Sequence, residues 1–153
     1  MSWQAVGWTL GGSVAGFAVL RAMPFAKVVL WSPMRGRVLL NGAPAAGAVL
    51  VRSYHWHWAD RKGTDRTVAD ADGRFAFPAI HGRMVLGLVL PHEPVTRQEM
   101  SVEHLGVSYF AWYHFNHDYL LDAENGGRPI VVACRLDEQP HKHGDLYGLC
   151  DFE

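Results

Sequence analysis

GRVLLNGAPAAGAVLVRSYHWHW, residues 36–58, is the stretch of sequence that decides the fold. A short apolar run is followed by an Asn-Gly-Ala-Pro turn, and a longer run then ends in alternating aromatic and histidine residues. Asn41 and Gly42 favour the positive φ angles that a two-residue hairpin turn requires. This stretch therefore predicts two neighbouring β-strands. The alternation that points Leu50 inward also points Arg52 inward, which predicts a β-bulge or a buried ion pair.

A second hairpin is predicted for residues 64–80, TDRTVADADGRFAFPAI. Asp72 and Gly73 are turn-forming residues, because aspartate accepts local backbone hydrogen bonds and glycine tolerates positive φ. The spacing of Phe75 and Phe77 places both rings on one face of the strand that follows. We expect that face to be part of the core.

Later segments also have the composition of strands. They are residues 84–90 (MVLGLVL), a hairpin around Leu105 and Gly106, and residues 130–136 (IVVACRL). Short strands separated by regularly spaced turns are typical of a β-sandwich. We therefore expect an all-β fold, with a single antiparallel sandwich of about seven strands over residues 32–153.

The residues that define these hairpins resemble a known family. The stretch from Met34 to Ile80 is similar to the opening of carboxypeptidase regulatory-like domains, which have an Ig-like, transthyretin-like (prealbumin-like) sandwich. The usual Pro-Gly ending of that region is replaced by Ile80–Arg83. The segments HWHWAD, residues 55–60, and Tyr109–Tyr119 resemble an uncharacterised bacterial branch of the superfamily. The resemblance implies a fold and no particular chemistry.

Residues 1–31 form an apolar N-terminal segment, in which the first charged side chain is Arg21. The run from Trp3 to Leu20 is at the short end of what crosses a bilayer. Its two GxxxG spacings, which begin at Gly7 and Gly12, allow close approach of membrane helices. We expect an apolar helix that anchors the protein in a membrane. The alternative is a soluble helix or hairpin packed on the sandwich.

The sequence also bears on the side of the membrane. We place the β domain on the periplasmic side and keep the cytoplasmic side open, because basic residues that follow an apolar segment favour the cytoplasm. Four of them do so here: Arg21, Lys27, Arg35 and Arg37. Outside the cytoplasm Cys134 and Cys150 could pair. Otherwise they are two unrelated thiols.

Charge and motifs exclude several classes of function. The chain has 14 basic and 15 acidic residues, so no basic surface for nucleic acid is expected. No serine or cysteine lies in a nucleophile motif, and no phosphate-binding or dinucleotide-binding glycine pattern occurs. We predict a protein without enzymatic activity, cofactor or metal, of unknown oligomeric state.

The aromatic-rich segments predict a surface that binds another protein, because aromatic residues are enriched at interfaces. The expected binding residues are Tyr54, His55, Trp56, His57, Trp58, Asp60, Arg61, Trp112, Tyr113 and Tyr119. The predicted function is a bacterial protein-interaction domain, such as an immunity or accessory protein of a toxin or secretion system.

The alternative function is a metal- or carbohydrate-binding module of the cell envelope. His55 and His57 share one face of the predicted strand, and two imidazoles at this spacing can bind one metal ion. The tryptophans on the other face, Trp56 and Trp58, could form a flat platform for a sugar.

Overall fold

A computed structural model describes residues 26–84 and 90–153. Over these residues the chain is all-β, as predicted. The strands are β1 (Ala26–Trp31), β2 (Met34–Leu40), β3 (Ala43–Pro44), β4 (Val49–Trp56), β5 (Arg61–Val68), β6 (Arg74–Phe77), β7 (Ile80–Met84), β8 (Thr96–His104), β9 (Val107–Asn116), β10 (Ile130–Arg135), β11 (His141–His143), β12 (Leu146–Gly148) and β13 (Cys150–Phe152). Single 3-10 turns cover His57–Ala59 and Ala123–Asn125.

The predicted N-terminal helix and most of the predicted strand 84–90 lie outside the described residues. In the ranges that the structure describes, no helix is long and apolar enough to cross a membrane.

The strands form two large sheets and a small ribbon. One sheet has six strands in the order β11-β12-β9-β8-β4-β5. The other has the order β13-β10-β2-β3, with β6 also paired to β2, and β1 and β7 form a separate two-stranded ribbon. Side chains of both sheets and the ribbon meet in one buried cluster, which includes Leu30, Val38, Leu50, Val102 and Val132. The arrangement is that of a sandwich.

The prediction of a purely antiparallel sandwich was wrong for one pair of strands. β2 and β10 run parallel, with Met34 opposite Ile130 and Leu39 opposite Arg135. Parallel neighbours need a long connection, and here almost 90 residues of chain separate the two strands. Alternating hydrophobicity marks a strand but carries no information on the direction of its distant partner.

The fold begins earlier than the predicted domain boundary at Ser32. In β1, Leu30 and Trp31 are completely buried and belong to the core. Ser32 itself is buried, and its Oγ donates a hydrogen bond to Glu124 Oε2 at 2.6 Å. The end of the segment that sequence assigned to the N-terminal appendage is thus an integral strand.

The predicted turns are confirmed. Asn41 and Gly42 have φ angles of 52° and 78°, and Leu105 and Gly106 have angles of 50° and 77°. Such pairs of positive φ angles are those of tight hairpin turns. Because these turns fix the register of the adjoining strands, they determine which side chains face outward.

The buried arginine expected from the alternation of β4 is present. Arg52 is completely buried, and its Nε and Nη2 donate to the two carboxylate oxygens of Asp65 at 2.7 and 2.9 Å. Nη2 also donates to the carbonyl oxygen of Pro78 at 2.6 Å, and the guanidinium carbon lies 4.4 Å from the centre of the Phe77 ring. Of the two expectations, the buried ion pair is the one observed.

Cys134 and Cys150 form a disulfide. They lie directly opposite each other on β10 and β13, which is the edge of the second sheet. The bond closes a loop with a sequence separation of 16 residues, and it fixes the C-terminal strand to the sandwich. The structure thus decides a pairing that sequence left open.

Candidate functional site

Three aromatic residues of the predicted binding surface lie in the core. Tyr54, Trp56 and Trp112 are 8, 2 and 0% exposed, because they occupy the inward-facing positions of β4 and β9. Trp56 Nε1 donates to the hydroxyl oxygen of Tyr119 at 2.9 Å, so this indole is also satisfied internally. These three side chains stabilise the sandwich and do not belong to its exposed outer face.

An irregularity in β9 determines which of its aromatic residues reach the surface. The register between β8 and β9 shifts after Met100, so that Met100 lies opposite Trp112 and Ser101 lies opposite Phe110. The extra residue is Ala111, and both Ala111 and Trp112 are completely buried. A bulge of this kind changes the face to which the following side chains point. Phe110 and Tyr113 therefore both face outward although they are three residues apart.

Four aromatic side chains lie together on the outer face of the six-stranded sheet, at strands β9 and β12, and we call them the aromatic stripe: Phe110, Tyr113 and Phe115 of β9 and Tyr147 of β12. The ring of Phe110 lies 6.2 Å from Tyr113 and 5.8 Å from Tyr147, and Tyr113 lies 5.4 Å from Phe115. Phe110, Phe115 and Tyr147 are 43, 37 and 43% exposed. Of the four, the sequence analysis named only Tyr113.

Polar side chains adjoin the stripe on the same face. Glu99 lies opposite Tyr113 and Arg97 lies opposite Phe115 in the pairing of β8 with β9. Arg97 Nε and Glu99 Oε1 form an ion pair at 3.2 Å. An apolar centre beside charged and hydrogen-bonding groups is the usual composition of a protein interface.

The two histidines of the HWHW motif lie together at one end of this outer face, but not on one strand as predicted, because β4 ends at Trp56 and His57 begins the 3-10 turn. The rings of His55 and His57 are stacked with centroids 4.3 Å apart. His55 Nε2 is 2.7 Å from Asp60 Oδ1, and His55 lies opposite Arg97 in the sheet. The hydrogen bond with His55 lowers the pKa of the Asp60 carboxyl, and the charge of Lys62 lowers this pKa further.

The remaining predicted site residues make other contacts. Trp58 is half-buried in the 3-10 turn, and its ring lies 4.2 Å from that of His92. Arg61 is exposed, with Nη1 3.5 Å from the carbonyl oxygen of His81. Burial raises the pKa of Tyr119. The sequence-predicted residues thus divide between the core, the outer face and the region around the β1–β7 ribbon.

A different cluster has the spacing of a metal site. Among the described residues, Glu138, His141 and Asp151 are the group whose ligand atoms all lie within 4.8 Å of one another. Arg135 lies 3.9 Å from Glu138 Oε1 and 3.7 Å from Asp151 Oδ2. Its guanidinium charge already compensates both carboxylates, so this cluster is accounted for by its internal ion pairs.

A recess of about 480 Å³ lies beside the end of β9. His114 lines it, and burial lowers the pKa of this histidine while its Nδ1 lies 3.3 Å from the carbonyl oxygen of Asp145. The other lining residues are Phe115, Asn116, His117, Asp118, Leu120, Leu121, Ala123, Gly126, Gly127 and Asp145. This set contains no serine, threonine or cysteine that could act as a nucleophile.

Residues 34–139 match the family described as "Domain of unknown function (DUF6795)". The match covers more than half of the chain, which therefore belongs to this family. No curated protein and no solved structure matches the chain.

Proposed function

We propose that this member of the DUF6795 family is a non-enzymatic domain that binds another protein through the outer face of its six-stranded sheet. The observation that carries the proposal is the aromatic stripe, in which Phe110, Phe115 and Tyr147 are each more than a third exposed although they belong to hydrogen-bonded strands. Aromatic side chains contribute large contact areas to interfaces with little loss of conformational entropy.

The geometry of the stripe supports binding of a folded partner. Its side chains come from two hydrogen-bonded strands, since Tyr147 lies opposite Tyr113, and strands hold side chains in fixed positions. A rigid surface loses little conformational freedom on association. The ion pair of Arg97 with Glu99 beside the stripe supplies groups that orient a partner.

We further propose that residues before β1 hold the domain at a membrane, with the sandwich outside the cytoplasm. The Cys134–Cys150 disulfide supports this side, because disulfides persist in oxidising compartments. The basic residues Lys27, Arg35 and Arg37 favour the opposite orientation. Leu105→Cys places a thiol at a position that is 82% exposed, and labelling it in intact cells with a membrane-impermeant thiol reagent tests this point. Labelling in intact cells is the expected result, and labelling only after cell lysis contradicts the proposed side.

A narrower form of the proposal is an immunity or accessory protein of a toxin or secretion system. The small size of the domain and its rigid interaction surface support this narrower form. It predicts that the captured partner is a secreted protein whose toxicity is suppressed when both proteins are co-expressed. Unaltered toxicity on co-expression with a folded domain contradicts this narrower form and leaves the binding proposal intact.

Capture from native cells tests the proposed binding surface. The full chain carrying Phe110→Ser and Tyr147→Ser is compared with the wild type after mild cross-linking, and captured proteins are quantified by mass spectrometry. Loss of two central contacts of about 2 kcal/mol each weakens binding by about a thousandfold, so the specific partner should be lost from the captured proteins.

Leu105→Ser together with Val68→Ser is the matched control. These side chains are 82 and 58% exposed, and they lie in the β8–β9 turn and at the end of β5, which β4 and β8 separate from β9. The control should retain the partner within about twofold, as expected for surface substitutions outside an interface. Equal recovery with both double variants would exclude the aromatic stripe as the binding surface.

The envelope metal- or carbohydrate-binding module is not favoured by the geometry. Trp56 is buried, so Trp56 and Trp58 do not form an exposed flat platform. His55 Nε2 is engaged with Asp60. Metal analysis of the purified protein decides this alternative, because stoichiometric zinc or copper that is lost in His55→Gln/His57→Gln would support it.

A further inference from the structure

A basic cleft of about 760 Å³ lies at the β1–β7 ribbon, on a different part of the molecule from the aromatic stripe. Its charged lining is entirely basic and consists of Lys27 of β1, Arg61 of β5 and Arg83 of β7, together with His81. Ala59 and Gly82 complete the walls, with the edge of the Trp56 ring. All four basic side chains are on exposed residues.

The arrangement of these charges is unfavourable without a partner. Lys27 and Arg83 lie directly opposite each other in the ribbon, and like charges at such positions repel. In the described ranges, no carboxylate lies within ion-pair distance of Lys27, Arg61 or Arg83, whereas most other charged clusters of the protein contain both signs. An anionic group in the cleft would neutralise this repulsion.

The cleft is held rigidly against the sandwich. Gly82 packs against Trp56, since a Cβ atom on this residue would lie 2.8 Å from the indole ring. Arg61 Nη1 is 3.5 Å from the carbonyl oxygen of His81, so the side chain reaches from β5 to the ribbon. The three basic residues therefore belong to one surface although they come from three strands.

The segments of sequence next to β1 and β7 indicate which kind of ligand the cleft binds. Ala26 lies opposite Met84 at one end of the ribbon, so β1 begins beside the residue at which β7 ends. The sequence before Ala26 has no charged residue among its first 20 residues, and the sequence after Met84 reads Val-Leu-Gly-Leu-Val-Leu. In the sequence, two apolar stretches thus flank the strands that carry Lys27 and Arg83.

We propose that this cleft docks on a bilayer surface by binding the anionic headgroups of phospholipids. Basic residues beside a membrane-inserted segment are attracted by anionic lipids, and each contributes about a factor of five in binding. Three such residues give a preference for anionic over zwitterionic membranes on the order of a hundredfold. The inference rests on the proposed membrane association of the segment before β1, and it is independent of the partner-binding face.

Flotation of the full chain with lipid vesicles tests the docking. Binding to vesicles of phosphatidylcholine alone is compared with binding to vesicles that contain one third phosphatidylglycerol. The readout is the ratio of the two partition coefficients. The apolar N-terminal segment contributes to both coefficients, so its contribution cancels in the ratio. The test variant is Lys27→Gln/Arg61→Gln/Arg83→Gln, and the matched control with the same net charge is Arg35→Gln/Arg66→Gln/Lys142→Gln.

The expected result is a large anionic preference for the wild type and the control, and a loss of about a hundredfold in the test variant. Equal ratios for the test and control variants would overturn the docking surface, since net charge alone would then account for the preference. A wild-type protein without a preference for anionic vesicles would also overturn the docking surface. If the preference is lost in 10 mM phosphate but not in sodium chloride of equal ionic strength, the ligand of the cleft is a small soluble anion and not a bilayer surface.

The two proposals fail separately. The cleft variant should still capture the partner, and Phe110→Ser/Tyr147→Ser should keep its anionic preference, because the substituted residues lie on different elements. A cleft variant that binds vesicles normally but captures no partner would contradict the assignment of both surfaces.

Discussion

The two faces of the six-stranded sheet are built from the same strands and have similar aromatic content, but they differ in how their side chains are bonded. On the inner face Trp56 donates to Tyr119, and Gln98 donates through Nε2 to the carbonyl oxygen of Leu30 at 3.0 Å and to Glu124 at 2.8 Å. On the outer face the rings of the aromatic stripe contact mainly one another.

Within one strand, the inward-facing side chains therefore stabilise the fold, and the outward-facing side chains are the candidates for binding. A side chain whose polar atoms are satisfied inside the sandwich contributes to stability. An aromatic ring held at the surface of a rigid sheet contributes little to stability and is available for binding. Neighbouring residues such as Trp112 and Tyr113 should therefore respond very differently to the same substitution.

The largest expected effect is at Trp112. Trp112→Ala should lower the free energy of unfolding by about 4 kcal/mol, because it removes a completely buried aromatic ring and leaves a cavity. Tyr113→Ala, one residue along the strand, should cost about 1 kcal/mol or less. Urea denaturation of both variants measures the difference, and similar losses would contradict the assignment of these neighbours to opposite faces.

The buried ion pair should have the next largest effect. Asp65→Ala leaves the completely buried Arg52 guanidinium with only the carbonyl oxygen of Pro78 as a hydrogen-bond acceptor. The expected loss is about 3 kcal/mol, at the lower end of the range for a broken buried pair because Asp65 is partly exposed. Thr64→Ala, at an exposed neighbouring position, is the control and should change stability by about 0.5 kcal/mol or less.

Loss of the single hydrogen bond between Trp56 and Tyr119 should lower the free energy of unfolding by less than loss of the ion pair. Tyr119→Phe removes the acceptor of the Trp56 indole N–H, which is then left unsatisfied in a buried position. We expect a loss of about 1 to 2 kcal/mol in the free energy of unfolding. Tyr109→Phe serves as the comparison, because Tyr109 is likewise partly buried against the core but the Trp56 indole donates to Tyr119 and not to Tyr109. A Tyr119→Phe protein as stable as Tyr109→Phe would show that the bond contributes nothing.

The smallest expected effect is on the pH dependence of the free energy of unfolding, and its direction differs between His141 and His114. The hydrogen bond with Asp151 raises the pKa of His141 above 6.5, so its stabilising contribution is present below pH 6.5 and is lost as pH rises through the raised value. Burial lowers the pKa of His114, so the unfolded chain takes up a proton first and stability falls as pH drops below 6.5.

Denaturation midpoints between pH 5 and 8 measure these slopes. His141→Gln should remove the decline on the alkaline side, and His114→Gln should reduce the decline on the acidic side. A change of the acidic limb in His141→Gln would contradict the assigned direction for that residue.

Much of the local structure could be predicted because it depends on neighbouring residues. Asn41-Gly42 and Leu105-Gly106 form the expected turns, and Phe75 and Phe77 face the core as their alternation indicates. The candidate site was harder to predict. The buried position of Trp112 and the exposure of Phe110 both depend on one extra residue in β9, which is defined only by the pairing with β8.

By itself the sequence determined the all-β class, the hairpin turns, the inward position of Arg52 and the proximity of His55 to His57. Each of these follows from residues close together along the chain. Only the tertiary structure decided that Asp65 pairs with Arg52, that β2 runs parallel to β10, and that Cys134 meets Cys150. It also brought together Lys27, Arg61 and Arg83, because contacts between distant segments depend on how the sheets close and not on any local pattern.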